Sequence, residues 1–207
     1  MDNIIMVGGF HEMVELCEDC GLNIIGIIDN KMSGIYEGVK IIGTDDDRHE
    51  IFKKYGDIPL VLTPDKPAIR EKLYHLYKDA GFSFKTVISP TARISRTATI
   101  GVGTVIQDKV NVSSHTKIGD FVKLNTMSNV MHDCNVGDFT TIAPNVCVLG
   151  RISIGEKCYI GANATVLPDV KIVGNTTVGA GATVLKTIEE EGVYIGTPTR
   201  LLKKNNI

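Results

Sequence analysis

The stretch NVMHDCNVGDFTTIAPN, from Asn129 to Asn145, sets His132 directly before Asp133. A neutral imidazole accepts a proton near pH 7, and a carboxylate bonded to the ring fixes its tautomer and stabilises the imidazolium that forms. That is the chemistry needed when an amine or a hydroxyl attacks an acyl carbonyl. On spacing alone, however, the pair reads better as two solvated residues in a turn. Neighbours on a strand also point to opposite faces, so the two can cooperate only where the chain turns.

A second group of candidates lies near the start. Gly8, Gly9, Phe10 and His11 form a glycine turn running into a helix, and Asp29 and Asn30 follow about twenty residues later. The arrangement suggests a phosphate-bearing ligand on a helix N-terminus, where free N–H groups gather. GGFHEM lacks the full G-x-G-x-x-G, so a nicotinamide dinucleotide is not expected. His11 reads equally as a ligand contact or as a solvent-facing residue. Cys17 and Cys20 form a C-x-x-C inside a helical pattern with no second pair, and are expected to be small packed residues rather than a metal or redox site.

The elements that must position these residues differ between the two halves of the chain. From Ile88 to Val184 every sixth residue is aliphatic, seventeen positions without a miss. Small or β-branched residues recur four places after them, Cys134 among them, and Gly101, Gly119, Gly137 and Gly155 are eighteen residues apart. A six-residue period fits neither a helix nor a long strand. It predicts short strands joined by turns, three sides to a coil, with coils stacked into a triangular prism. His132 and Asp133 come two and three residues after the inward Val130, which puts them at a corner.

The first half alternates apolar runs with helical patterns. NIIMVGG, LNIIGIIDN and DIPLVLTP read as strands; FHEMVELCEDCG, DDDRHEIFKKYG and KPAIREKLYHLYKDAG read as helices. This predicts a parallel α/β sheet binding its ligand at the strands' C-terminal ends. The expected organisation is a Rossmann-like α/β domain over residues 1–85 and a prism over 86–207.

The prism repeat resembles that of the left-handed parallel β-helix acyltransferases. With the α/β half, ISPTARIS, NVMHDCNVGDF and GAGATVLKTIEEEGVYIGTPTR, the whole chain resembles the bacterial sugar O/N-acyltransferases. These include nucleotide-amino-sugar N-acetyltransferases and sialic-acid O-acetyltransferases. The resemblance implies an acetyl-CoA-dependent transferase of surface-polysaccharide biosynthesis, a homotrimer with a sugar-nucleotide site in the N-terminal domain. It makes His132 the general base and Asp133 its partner. Asn125 corresponds to a position near the base, alongside the acceptor-site residues Gly8, Gly9, Phe10, His11, Asp29 and Asn30. Gly150 would supply an oxyanion-hole N–H. Gly161, Ala162 and Ala180 would lie along the acetyl-CoA, and Lys186 would meet a CoA phosphate or be simply solvated. The family's histidine nine residues after the base, an acetyl-CoA contact, is Thr141 here, so Thr141 is expected at the cofactor; the glycine loop is one residue shorter.

Other classes fit less well. A net charge of -2 with no basic cluster argues against a nucleic-acid partner. No apolar run nears a membrane span, the start does not read as a signal peptide, and five irregularly spaced cysteines suggest a cytoplasmic protein. A zinc anhydrase on this prism would need three ligand histidines, and the repeat half has only His115 and His132; no metal is expected. The remaining alternatives are an O-acetyltransferase for a sialic-acid-like sugar and a non-catalytic trimeric scaffold.

Overall fold

The computed structural model describes residues 2–202. The chain opens on β1 (Asn3–Val7), an apolar run buried from Ile4 onward, as befits a strand covered on both faces. Next come α1 (His11–Asp19), β2 (Asn23–Ile28), β3 (Ile35–Tyr36), β4 (Val39–Gly43), α2 (Arg48–Tyr55), β5 (Leu60–Leu62) and α3 (Pro67–Asp79). The sheet order is β3-β4-β2-β1-β5. All neighbours are parallel except the β3–β4 pair.

That β3–β4 hairpin departs from the sequence expectation. Glu37 and Gly38 both have positive φ, 46° and 76°, so they make the two-residue turn that suits a hairpin's twist. A glutamate in the first position is an uncommon signal for such a turn. The helix expected at DDDRHEIFKKYG begins instead as a 3-10 turn over Asp45–Asp47, where the Asp47 carboxylate accepts from the Thr44 N–H.

Seventeen two-residue strands follow, from β6 (Val87–Ile88) to β22 (Thr183–Val184). From β6 to β19 each pairs in parallel with the strand three later, so they stack into three sheets. From Ile106 upward the inward aliphatics are buried, with Cys134 and Cys158 filling small gaps among them. At the open lower end Ile88 is 37% exposed. From Lys109 to Asn175 every sixth residue is left-handed, with φ between 52° and 64°. None of these twelve is glycine, and left-handed backbone costs about 1–2 kcal/mol per residue. Hydrogen bonds between coils hold the corners in place: the Asp133 N–H donates to Ser114, that of Arg151 to His132, and that of Asp169 to Gly150.

The α/β unit lies on one face of the prism, the sheet that begins with β6. Its outward Val87 and Val105 join Ile4, Met13 and Cys17 in one apolar cluster. The next outward residues, Lys123 and Thr141, are polar yet buried. Lys123 Nζ donates to the Thr63 carbonyl at 2.8 Å and pairs with Asp65 Oδ1 at 2.8 Å. Burial pushes its pKa down, and Asp65 opposes that. Arg70 is 1% exposed and spends its donors on five backbone carbonyls, those of Pro64, Asp65, Phe121, Phe139 and Thr140, and on Thr141 Oγ1. Burial pulls its pKa down to about 10. Beside it Phe121 and Phe139 stack at 5.3 Å against Tyr74.

Removing a buried, fully bonded cation strands its acceptors. Arg70→Ala should therefore cost about 3–5 kcal/mol in denaturant unfolding. Arg70→Lys should recover little, because one ammonium cannot span both sets of carbonyls. Parent-like stability in Arg70→Ala would show that the seam does not depend on this residue.

Candidate active site

His132 and Asp133 occupy the corner between β13 (Asn129–Val130) and β14 (Asn135–Val136). The left-handed backbone of Asp133 (φ 58°) turns its carboxylate back toward the preceding ring. His132 Nδ1 and Asp133 Oδ2 stand 2.8 Å apart, both side chains about half exposed. With Nδ1–H bonded to the carboxylate, Nε2 is left as the free base.

Gly150 sits one coil above and shapes that atom's surroundings. A Cβ there would lie 2.6 Å from His132 Nε2 and 2.7 Å from Cε1, so the ring packs where a side chain would be. The Gly150 N–H makes no hydrogen bond among the described residues, which leaves a donor beside the free nitrogen. This arrangement can take a proton at Nε2 and stabilise an oxyanion next to it.

Above His132, Leu149, Leu167 and Leu185 form an apolar column, stacked in register by β16 (Cys147–Val148), β19 (Thr165–Val166) and β22. Lys186 is exposed at the top of the histidine's own corner, three coils or about 14 Å above it. Ala162 and Ala180 fall at a different corner, across the face that carries β16 and β19. Gly161 packs on the backbone of the next coil, where a Cβ would meet Ala180 N at 2.6 Å.

The expected contact at Thr141 is corrected by the structure. Its hydroxyl is fully buried in the seam, donating to Asp65 O at 2.6 Å and accepting from Arg70. Asn125 is 5% exposed, and its Nδ2 points to Asp65 Oδ1 at 3.4 Å. Its own Oδ1 makes no hydrogen bond among the described residues.

At the C-terminal ends of β1, β2 and β5 opens a cavity of about 310 Å³, lined by Gly8, Asp29, Asn30, Lys31, Asp45 and Pro64 among others. This is where a parallel sheet places a ligand. Several residues expected to touch one are otherwise engaged. The Asp29 carboxylate accepts from the N–H groups of Gly9, Lys31 and Met32, at 2.8–3.1 Å. Burial raises its pKa, but these three bonds outweigh that and the net shift is downward. Asn30 is paired with Asp45, which also accepts from the Tyr77 hydroxyl. Gly8 is required by its φ of 93° and by Thr63 Oγ1, 2.5 Å from where a Cβ would lie, whereas a Cβ on Gly9 would only displace the flexible Met32 thioether. Phe10 lies under Lys123 Nζ, 5.7 Å from its ring centroid, and His11 is exposed outside the cavity. Of these residues Gly8, Asp29 and Asn30 build the cavity's walls. Arg70, Lys123, Asp65 and Asp45 were not singled out by the sequence, which shows no partner for any of them.

Residues 151–186 match the family model of the bacterial transferase hexapeptide (six repeats). No curated protein sequence matches the chain. Among solved structures the chain is similar to PerB from Caulobacter crescentus, determined with CoA and GDP-perosamine. That match has 27% identity over 98% of each chain and a TM-score of 0.91. It is also similar to WeeI from Acinetobacter baumannii, at 28% identity over 97% of this chain and 100% of the other, TM-score 0.85. The acetyltransferase domain of PglB from Neisseria gonorrhoeae, in complex with acetyl coenzyme A, matches at 25% identity over 97% and 98%, TM-score 0.88. No helix among the described residues is long and apolar enough to cross a membrane.

Gly150→Ala should move the ring rather than break the prism, because the clash is with a side chain that can swing away. Thermal unfolding should stay at the parent value while turnover falls roughly 100-fold. A fully active Gly150→Ala would mean the ring's close approach to this coil has no part in the chemistry.

Proposed function

We propose that this sugar acyltransferase of the hexapeptide-repeat type N-acetylates an amino sugar carried on a nucleotide, with acetyl-CoA as donor and His132 as general base. One observation carries the reading: the Nδ1 of His132 is held by Asp133, while its Nε2 faces Gly150 and that residue's unused N–H. The acceptor nitrogen attacks the thioester carbon, and Nε2 takes the proton that the nitrogen loses. The tetrahedral oxyanion accepts from Gly150 N–H. Collapse breaks the C–S bond, and the departing thiolate receives the proton from the imidazolium. No enzyme nucleophile is required.

Acetyl-CoA is read along the column above the base, with the pantetheine arm on Leu149 and Leu167 and a phosphate near Lys186. The amine acceptor and the nucleotide are read into the cavity of the Rossmann-like domain, residues 1–85. PerB supports the acceptor class, since its structure holds GDP-perosamine and CoA.

A single chain does not bring base and acceptor together. The α/β unit covers the face that carries Lys123 and Thr141, whereas His132 stands at the corner between the other two faces. The cavity and the base of one chain thus look away from each other. On this reading a second copy brings its corner to this chain's cavity, and a trimer about a three-fold axis parallel to the prisms would repeat that contact at all three sites. A cytoplasmic location accords with these intracellular substrates.

His132→Ala should lower kcat by ~10²–10⁴ while acetyl-CoA still binds, and Asp133→Asn should lower it less. An active His132→Ala would overturn the mechanism. For the shared site, inactive His132→Ala is mixed and reassembled with a variant whose acceptor cavity is blocked, such as Ile69→Trp, Ile69 being part of the cavity's lining. Restored activity is expected, because some sites then combine an intact base with an intact cavity. Failure to complement, with both variants correctly assembled, would place the whole site within one chain.

A further inference from the structure

Asp133 has a charged neighbour that the base mechanism does not use. The strands on either side of its corner pair eighteen residues on, Asn129 with Cys147 and Asn135 with Ser153. The next coil continues the register, Cys147 with Thr165 and Ser153 with Lys171. The corner therefore stacks Arg151 on Asp133 and Asp169 on Arg151, with His115 one coil below Asp133. All three upper residues are left-handed, with φ of 58°, 59° and 64°, so their side chains leave the corner in one column.

Coils lie about 4.8 Å apart, so the guanidinium is within reach of a carboxylate above and one below. It bonds only the upper one. Arg151 Nε and Nη2 meet the two oxygens of Asp169 at 2.7 Å and 2.9 Å, a bidentate pair. Asp169 holds the guanidinium firmly protonated, and Asp133 adds a smaller pull in the same direction. Were Arg151 to turn downward, it would occupy the oxygens that receive His132 Nδ1–H. The ring would then be free to carry its proton on Nε2, the atom that has to accept one.

We propose that Asp169 is a positioning residue, which holds Arg151 off Asp133 and so keeps His132 in the tautomer whose Nε2 is free. The proposal rests on His132 being the base. Because the pair is exposed, its loss should barely change stability.

The test combines kinetics with ¹⁵N NMR of the imidazole, which reports which ring nitrogen is protonated. Asp169→Asn should lower kcat roughly 2- to 160-fold, the span of couplings between contacting groups, with the acetyl-CoA KM unchanged. Its His132 signals should shift from Nδ1–H toward Nε2–H. Arg151→Ala should keep parent activity, and Arg151→Ala/Asp169→Asn should recover it, which a structural role for Asp169 would not allow. An unchanged tautomer in Asp169→Asn, or a double variant as slow as that single one, would overturn the proposal. The NMR result does not depend on turnover. An active His132→Ala would thus remove the base reading alone, while an unchanged tautomer beside an inactive His132→Ala would remove this inference alone.

Discussion

Coil-to-coil register is the constraint on which the rest of the molecule depends. The chain makes each turn of the prism in eighteen residues, with no insertion between Ile88 and Val184. One extra residue would shift every later side chain between inside and outside and break each column above it. The unbroken register lets Gly150 stand over His132, lines up Leu149 with Leu167, and stacks Arg151 between two carboxylates. It also sustains the left-handed corners. A residue such as Asp133 stays at positive φ only because its N–H is claimed by the coil below. That same φ brings a carboxylate back onto the side chain before it, which a flat strand would forbid.

The features that repeat were the ones legible in the sequence. The inward aliphatics, the small inward cysteines and the corner under His132 follow from a period that tolerates no alternative packing. Strands β1 and β2 and helices α1 and α3 were legible for a similar reason, since their apolar patterns run long enough to fix an element type. The Glu37–Gly38 hairpin was not, because β3 has two residues and its turn departs from the usual composition. The seam was not legible either. Lys123 and Thr141 occupy outward positions, where a polar residue ordinarily means solvent, and only the fold reveals that a second unit covers them. Likewise Asp29 carries the signature of a ligand contact but serves as an acceptor for three backbone N–H groups of its own loops.

The seam has a consequence for the site. The segment from Thr63 to Asp65 leaves β5 and forms part of the cavity wall through Pro64. Its carbonyls are held from both sides: that of Thr63 by Lys123 on the prism, and those of Pro64 and Asp65 by Arg70. Arg70 in turn grips the prism corners at Phe121 and Phe139. Buried ionic groups are costly, and apolar substitutes often stabilise as well or better. Apolar packing, however, is non-directional. Hydrogen bonds from a planar guanidinium to five carbonyls specify one angle and one register between the two units. In the proposed assembly an acceptor must arrive within about 3–3.5 Å of a neighbour's base, so the wall that holds it has to be fixed relative to the prism.

Exposure of the proposed base points the same way. In the isolated chain the side chains of His132 and Asp133 are 44% and 50% open to solvent. Water screens the attraction between them and competes for each hydrogen bond, so the pair alone is a weak device. A hydrogen bond between ring and carboxylate gains strength when the medium around it loses water, and so does an oxyanion's bond to Gly150 N–H. Among the described residues nothing closes over this corner, because the α/β unit is committed to the opposite face. The stacked corner is thus half of a site, correctly oriented but still wet. In the proposed assembly the second surface is the covering chain with its bound acceptor, and on that reading the rate acceleration belongs to the assembled state.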